Sequence, residues 1–337
     1  MADDFITISD SPSISGLGFR HFRGESDFSH MVALVTSCYD ADKVEHVATV
    51  ERTANFYAHL TTCDPYRDMI FAEINGQVIG FSRGWWSTEE NNGPYLYEFF
   101  GSLAPDWRRK GIGRMMLKWM EDRLRTIAAG HPADRSKFMQ TFVNQFEAGR
   151  MVLLEQEGYR PIRYMHEMVR PSLDNIPDFP LPDGLEVRPV LSEHYRLIWD
   201  ASVEAMRDHW GFPSPNDSDY QAWLCDETIF QPHLWQVAWD VATNQVAGQV
   251  RTFINHAEND KFGRKRGYTE FISVRRPWRR RGLACALIAR SLRLQKEQGM
   301  TESALAVDSE NLSGATRLYE ECGFRVVKRN AIYRKPL

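Results

Sequence analysis

The chain is short of several features that would each have placed it in a class. Cysteine is scarce: Cys38, Cys63, Cys225, Cys285 and Cys322 are scattered, odd in number and never spaced Cys-x-x-Cys. That pattern argues against a disulfide framework and against a zinc site, so no metal is expected. No apolar run approaches the ~20 residues of a membrane helix, and no membrane partner is expected. The opening Met1-Ala2-Asp3-Asp4 is acidic where a secretory signal is basic and then apolar, which makes a reducing cytoplasm the expected location. Charge of one sign is missing too. Lys and Arg number 41 against 45 Asp and Glu, a formal net charge of −4, which argues against nucleic acid as a partner. Neither a Gly-x-Gly-x-x-Gly fingerprint nor a Gly-Lys-Ser/Thr loop is present. What remains is 43% hydrophobic and 26% charged over 337 residues, the profile of a globular chain with two domains.

The most informative stretch runs from Phe271 to Ala284. Phe271, Ile272 and Val274 form a β-type apolar run, and Pro277 ends it because proline cannot donate to a ladder. Apolar residues at 283, 287, 288 and 294 then fall on one helix face. Between them lies Arg279-Arg280-Arg281-Gly282. A helix opening at a glycine among arginines presents unpaired backbone N–H groups in a positive field, a ready site for a pyrophosphate. Without a Cβ the glycine lets the backbone approach a bulky anion. A solvated basic turn would read the same way in isolation. The first half repeats the design, however. Leu103-Ala104-Pro105-Asp106-Trp107-Arg108-Arg109-Lys110-Gly111-Ile112-Gly113 has the proline, a tryptophan four before the glycine and three basic residues. A helix apolar at Ile112, Met115, Met116, Trp119 and Met120 follows. Gly111 and Gly282 stand 171 apart, and such a repeat reads as two copies of one fold.

In chain order the pattern predicts a loose tail over about 1–16, a strand at 17–22, and helices at 27–39 and 44–60. A hairpin turned at Asn75-Gly76 joins strands 69–74 and 77–86. Strand 95–103 feeds the first basic turn and its helix; strand 138–143, helix 148–157 and strand 159–169 follow. Prolines 171, 177, 180 and 182 mark a linker over 171–183 between a unit at 1–170 and one at 184–337. The second half repeats the order: strand 185–190, helices 193–206 and 217–226, strands 234–238 and 246–254, and strand 268–274. The basic turn, its helix, strand 303–307, helix 312–322 and strand 324–333 complete it. Strands first antiparallel and then alternating with helices imply an α/β class, each unit a mixed, mostly antiparallel sheet flanked by helices.

Arg279-Arg280-Arg281-Gly282-Leu283-Ala284 and Arg108-Arg109-Lys110-Gly111-Ile112-Gly113 both resemble the Gln/Arg-x-x-Gly-x-Gly/Ala acyl-CoA signature of the GNAT superfamily of N-acetyltransferases. Asn311, the run Ala315 to Tyr319, and Gly323-Phe324 match that family's ending. The ordered set is much more specific than the six residues alone. The resemblance covers nearly the whole chain as two tandem GNAT-like units, an architecture similar to that of mycothiol synthase. It implies an acetyl-CoA-dependent N-acetyltransferase acting on a small-molecule amine, with the acyl-CoA arm lying where two central strands splay apart. It places the backbone of Ile272 and Val274, and Asn311, against the pantetheine, and the Val274 N–H near the thioester carbonyl.

Acyl transfer to an amine also needs an acid for the departing thiolate and a base for the amine. Tyr319 lies on the apolar face of its helix, where a core tyrosine would lie too; the resemblance makes it the acid. Glu270, four residues before Val274 on one strand, is expected on the same face as Val274 and is the candidate base. Asp208, His209 and Trp210 form a titratable, aromatic loop that is the candidate acceptor site and an alternative source of the base. Aligning Gly158-Tyr159 with Gly323-Phe324 puts Leu154 at the position of Tyr319 and Phe146 at that of Asn311. The second unit is therefore expected to catalyse. The first keeps the anchor without the acid, though Glu98 offers a carboxylate. The other readings are a non-catalytic acyl-CoA sensor and a protein-directed acetyltransferase. Nothing in the sequence bears on oligomeric state.

Overall fold

The computed structural model describes residues 5–8, 11–89, 93–213, 215–311 and 314–337. They form two compact units, residues 1–162 with 330–337 and residues 163–329.

The first unit opens with β1 (Leu17–Arg20), α1 (Phe28–Ala41), α2 (Val50–Ala58) and α3 (Pro65–Asp68). An antiparallel meander follows: β2 (Met69–Ile74), β3 (Gln77–Thr88) and β4 (Tyr95–Leu103). Asn75 and Gly76 both take positive φ at the hairpin tip, as a two-residue primed turn requires. Then come α4 (Ile112–Ala129), β5 (Lys137–Val143) parallel to β4, α5 (Ala148–Gln156), and β6 (Arg160–Arg170), which crosses the boundary between units. The second unit continues with β7 (Leu185–Val187), α6 (Tyr195–Met206), α7 (Asp217–Leu224), β8 (Gln236–Asp240) and β9 (Gln245–Phe253). After α8 (His256–Phe262) come β10 (Arg266–Val274), α9 (Leu283–Glu297), β11 (Glu302–Asp308), α10 (Ala315–Glu321) and β12 (Arg325–Pro336). Its core packs Leu287, Ile288 and Leu292 of α9 against Ala247 and Val250 of β9 and Leu305 and Val307 of β11.

Most elements fall where the periodicity predicts them, and the exceptions have local causes. Thr49 caps α2 by accepting from the Arg52 N–H at 3.2 Å, so the helix starts at Val50 and not at Val44. The polar run of α8 has no apolar period; Asn255 starts it by accepting from the Glu258 N–H at 3.2 Å. The last helix begins at Ala315; residues 312 and 313 of its predicted span lie outside the described residues.

The units also differ from the division at 170 and 184 read from the prolines. Residues 165–170 pair antiparallel with 303–308, so they close the sheet of the second unit. Residues 331–336 pair antiparallel with 138–143 and close that of the first. Each half-chain ends in a strand that completes the other half's sheet. Composition cannot reveal this, because the two strands are alike in pattern and only a free edge selects between them. Among the described residues no helix is long and apolar enough to cross a membrane.

Candidate active site

In the second unit a short turn at Arg276–Trp278 leads from β10 through Arg279 and Arg280 to Gly282, where α9 begins. Arg280 and Gly282 take φ of 61° and 83°, and no side chain caps the helix. Its first N–H groups thus lack partners within the helix. Apart from its chain neighbours, no described residue comes within 4 Å of where a Cβ on Gly282 would stand. The arginines play different parts. Arg279 is a brace: its Nε donates to the Val274 carbonyl at 2.8 Å, and its other nitrogens to Asp208 at 2.6 Å and the Ala205 carbonyl at 3.0 Å. Arg281 donates to the Asp183 carbonyl at 2.8 Å, and Arg280 is exposed. Leu283 is buried, and Ala284 half-buried, in the first turn of α9.

Strands β10 and β11 pair in parallel only over Arg266 to Tyr268 against Glu302 to Ala304, and beyond that point they part. The Arg275 N–H donates to Ala247 of β9 at 3.0 Å, so alternation turns the Val274 N–H away from β9, towards the opening. Where the strands separate, Glu270 accepts a hydrogen bond from the Ala306 N–H at 2.8 Å. The expected shared face of Glu270 and Val274 is not found. The register against β9 shifts between Glu270 and Ser273, and Phe271 takes a φ of 51°. This bulge adds one residue and reverses the alternation, so Glu270 and Val274 emerge on opposite faces. A left-handed phenylalanine costs about 1–3 kcal/mol, strain of the kind that collects at functional sites. Burial pushes the Glu270 carboxyl up to about 8, against the opposing hydrogen bonds from Ala306 and Phe271.

Tyr319 on α10 is 8% exposed, inside the core. Burial first, and then the nearby Glu270 carboxylate, drive its phenol well above the ordinary range. Asn311 does not cap α10, whose N-cap is Gly314; its amide contacts His209 Nδ1 at 3.4 Å. Trp210 stacks under the Arg163 guanidinium, 4.8 Å from its ring centre, and Arg163 chelates Asp308 at 2.7–3.0 Å. The loop nominated for the acceptor is thereby tied to the end of β11. Asp208 itself is committed elsewhere, since Arg276 and Arg279 grip it and hold it well below the usual carboxylate range. Burial lowers the His209 imidazole, favouring its neutral form.

The first unit repeats the turn in different surroundings. Arg109 and Gly111 take φ of 64° and 85°, and Arg108 braces the Leu103 carbonyl at 3.0 Å and Asp42 at 2.6 and 2.7 Å. Lys110 lies over Trp107, Ile112 is fully buried, and Gly113 adjoins Leu103 and Leu153. A Cβ on Gly111 would stand 3.3 Å from Pro12 Cγ, and Ile6, Ile8 and Ile14 pack on the same cluster as Ile112. The described residues of the expected loose tail, 5–8 and 11–16, are therefore folded over this turn, because Ile6, Ile8 and Ile14 find an apolar surface there. No register shift interrupts the pairing of β4 with β3. Thr141 bridges β5 to the Phe99 carbonyl at 2.7 Å, and Arg150 donates to Thr141 at 2.7 Å. Glu98 is fully engaged, accepting from Trp85, Ser87 and Gln140 at 2.9–3.1 Å. Leu154 is buried and Phe146 exposed. Among the described residues no group of three His, Cys, Asp or Glu side chains is placed to hold a metal.

Two stretches, residues 33–132 and 195–324, together more than half of the chain, match the acetyltransferase (GNAT) family. The chain is 24% identical over 266 residues to the mycothiol acetyltransferase of Geodermatophilus obscurus, covering 77% of this chain and 79% of that protein. Among solved structures it is similar to a GCN5-related N-acetyltransferase from Sphaerobacter thermophilus, with a TM-score of 0.69, 24% identity and coverage of 98% and 97%. It is also similar to a tandem GNAT protein from the clavulanic acid biosynthesis pathway, with a TM-score of 0.65, 14% identity and coverage of 95% and 98%. At such identities the structural likenesses speak for the fold.

Proposed function

The chain belongs to the GNAT acetyltransferase family, and from that premise we propose that it transfers an acetyl group from acetyl-CoA to the amine of a small molecule, with catalysis in the unit of residues 163–329. The observation that carries this reading is the bulged, parted pair β10–β11. It sets Glu270 and Tyr319 beside a strand opening and an uncapped helix N-terminus; in the first unit β4 and β5 also part, beyond Glu98 and Gln140, but no bulge interrupts β4.

The residues fit an acyl-CoA. The open approach at Gly282 and the free N–H groups of α9 suit a pyrophosphate. The parted strands leave the Val274 N–H free to donate to a thioester carbonyl, whose oxygen gains charge during attack. Glu270 takes the proton of the attacking amine as the C–N bond forms. Its raised pKa, about 8, suits a base at neutral pH. Tyr319 stays protonated and supplies a proton to the sulfur as the C–S bond breaks. The first unit, its turn covered by Pro12 and its strands bridged by Thr141, serves as a support without turnover.

A thiol-release assay with acetyl-CoA and a panel of amines, polyamines and amino acids tests the reading. Release that depends on an amine and disappears in Tyr319→Phe is expected. Tight acetyl-CoA binding with no release for any amine would favour the sensor.

A further inference from the structure

We propose that Arg251 is the acceptor-recognition residue of the second unit, and that the acceptor is an amine carrying a carboxylate within a few bonds, as an amino acid does. Arg251 lies on β9 directly opposite Glu270 and is 5% exposed. Its Nε and Nη1 are buried without a hydrogen-bond partner among the described residues. The other strongly buried arginines differ. Arg20 donates to Asp27 and Glu73, and Arg170 to the carbonyls of Cys322 and Asp174. Among the described residues the guanidinium of Arg251 meets aromatic rings instead, with Trp223 at 5.1 Å and Phe271 at 4.2 Å from its carbon.

Ring faces attract a guanidinium but satisfy none of its N–H groups. A buried charge without hydrogen bonds is a standing cost, one that folding alone gives no reason to keep. Burial lowers its pKa to about 9, so it still carries its charge at neutral pH. A planar carboxylate is the group that a guanidinium fork matches in shape and charge. The position sets the rest of the acceptor. Residues directly opposite on antiparallel strands stand only ~4.5–5.5 Å apart at Cα, so a ligand on Arg251 brings its amine close to Glu270. Phe271, the strained residue of the bulge, is 40% exposed and its ring lies against the guanidinium. Arg251 is thus a specificity-determining residue, and this role rests on the reading of Glu270 as the base.

The test uses the full chain with two readouts. In the first, α-amino acids are compared with their carboxamides as acceptors. Wild type is expected to favour the acids by about 100-fold in kcat/KM. Arg251→Met should lose that preference through KM and keep its acetyl-CoA affinity. Arg251→Lys should recover part of it. The second readout needs no turnover. N-acetylglycine should raise the melting temperature of wild type, N-acetylglycinamide should not, and Arg251→Met should respond to neither. Arg251→Met should also melt higher than wild type without ligand, because an unsatisfied buried charge is gone. Equal use of acids and amides, or a lower melting temperature for Arg251→Met with no response of wild type to N-acetylglycine, overturns the proposal. A preference for phosphate-bearing amines overturns it too. If no amine is acetylated but N-acetylglycine still stabilises wild type through Arg251, the carboxylate site stands and the acetyltransferase reading fails.

Discussion

In the proposed mechanism Glu270 and Tyr319 carry opposite halves of the proton traffic, and each makes a separate prediction. The Glu270 carboxyl is raised to about 8, so kcat/KM should climb with pH up to that region, and Glu270→Gln should remove both the activity and the limb. Stability runs the other way. A carboxyl that holds its proton more tightly when folded contributes stability below its unfolded value near 4.5, and this is lost as pH rises through about 8. Glu270→Gln should therefore melt higher than wild type above pH 8, with the gap closing towards pH 4.5. Thermal melts across that range check the sign. Tyr319→Phe should lower kcat by roughly 10²–10⁴-fold and leave acetyl-CoA affinity almost unchanged. A kcat within about threefold of wild type would make Tyr319 a packing residue of the core it already lines.

At the scale of elements, the two basic turns are near copies with unequal surroundings. Both place an arginine and a glycine in left-handed conformations, and both use the first arginine as a brace to the strand end and an aspartate. Only the turn at Gly282 is open. Gly282→Glu puts a carboxylate into the expected pyrophosphate site and should abolish acetyl-CoA binding and turnover. Gly111→Glu should keep most turnover, since its turn already carries Pro12. Its cost should appear as lost stability from displaced tail and strained φ, about 1–2 kcal/mol for the conformation alone. Calorimetry with acetyl-CoA on both variants, after circular dichroism, decides the matter. A dead Gly111 variant beside an active Gly282 variant would reverse the assignment of the halves.

For the whole molecule, the exchanged end strands mean that the halves cut at the prolines are not self-sufficient. Removing residues 330–337 takes Ala331 and Tyr333 from the core of the first unit and leaves β5 without its antiparallel neighbour. It also removes the hydrogen bonds of Tyr333 to Glu155 and of Arg334 to Gln140, at 3.1 and 2.6 Å. Losing one buried aromatic costs about 3–5 kcal/mol, so hydrogen exchange should accelerate first in β5 and α4, far away in sequence. Acceleration confined to residues 163–329 would contradict the assignment of that strand.

The sequence by itself determined most of the elements and the two basic turns. Helices and strands follow from apolar periods and from Asn75-Gly76, Pro277 and Gly282, all of which act through neighbouring residues. The repeat of the basic turn showed two copies, and Leu154 in place of Tyr319 is the sequence difference on which the proposed inequality of the units rests. Only the tertiary structure decided the bulge at Phe271, because nothing in the run Glu270 to Val274 signals an extra residue; the partner strand's register creates it. It also decided the fate of Asp208, which reads as a free loop carboxylate until Arg276 and Arg279 fold onto it. Arg251 had a faint signal as the one charge within Gln245–Phe253, but its lack of a partner is a property of the packed interior. The same holds for the end strands, since hydrogen bonding to an open sheet edge depends on which edge is free and leaves no mark in local composition.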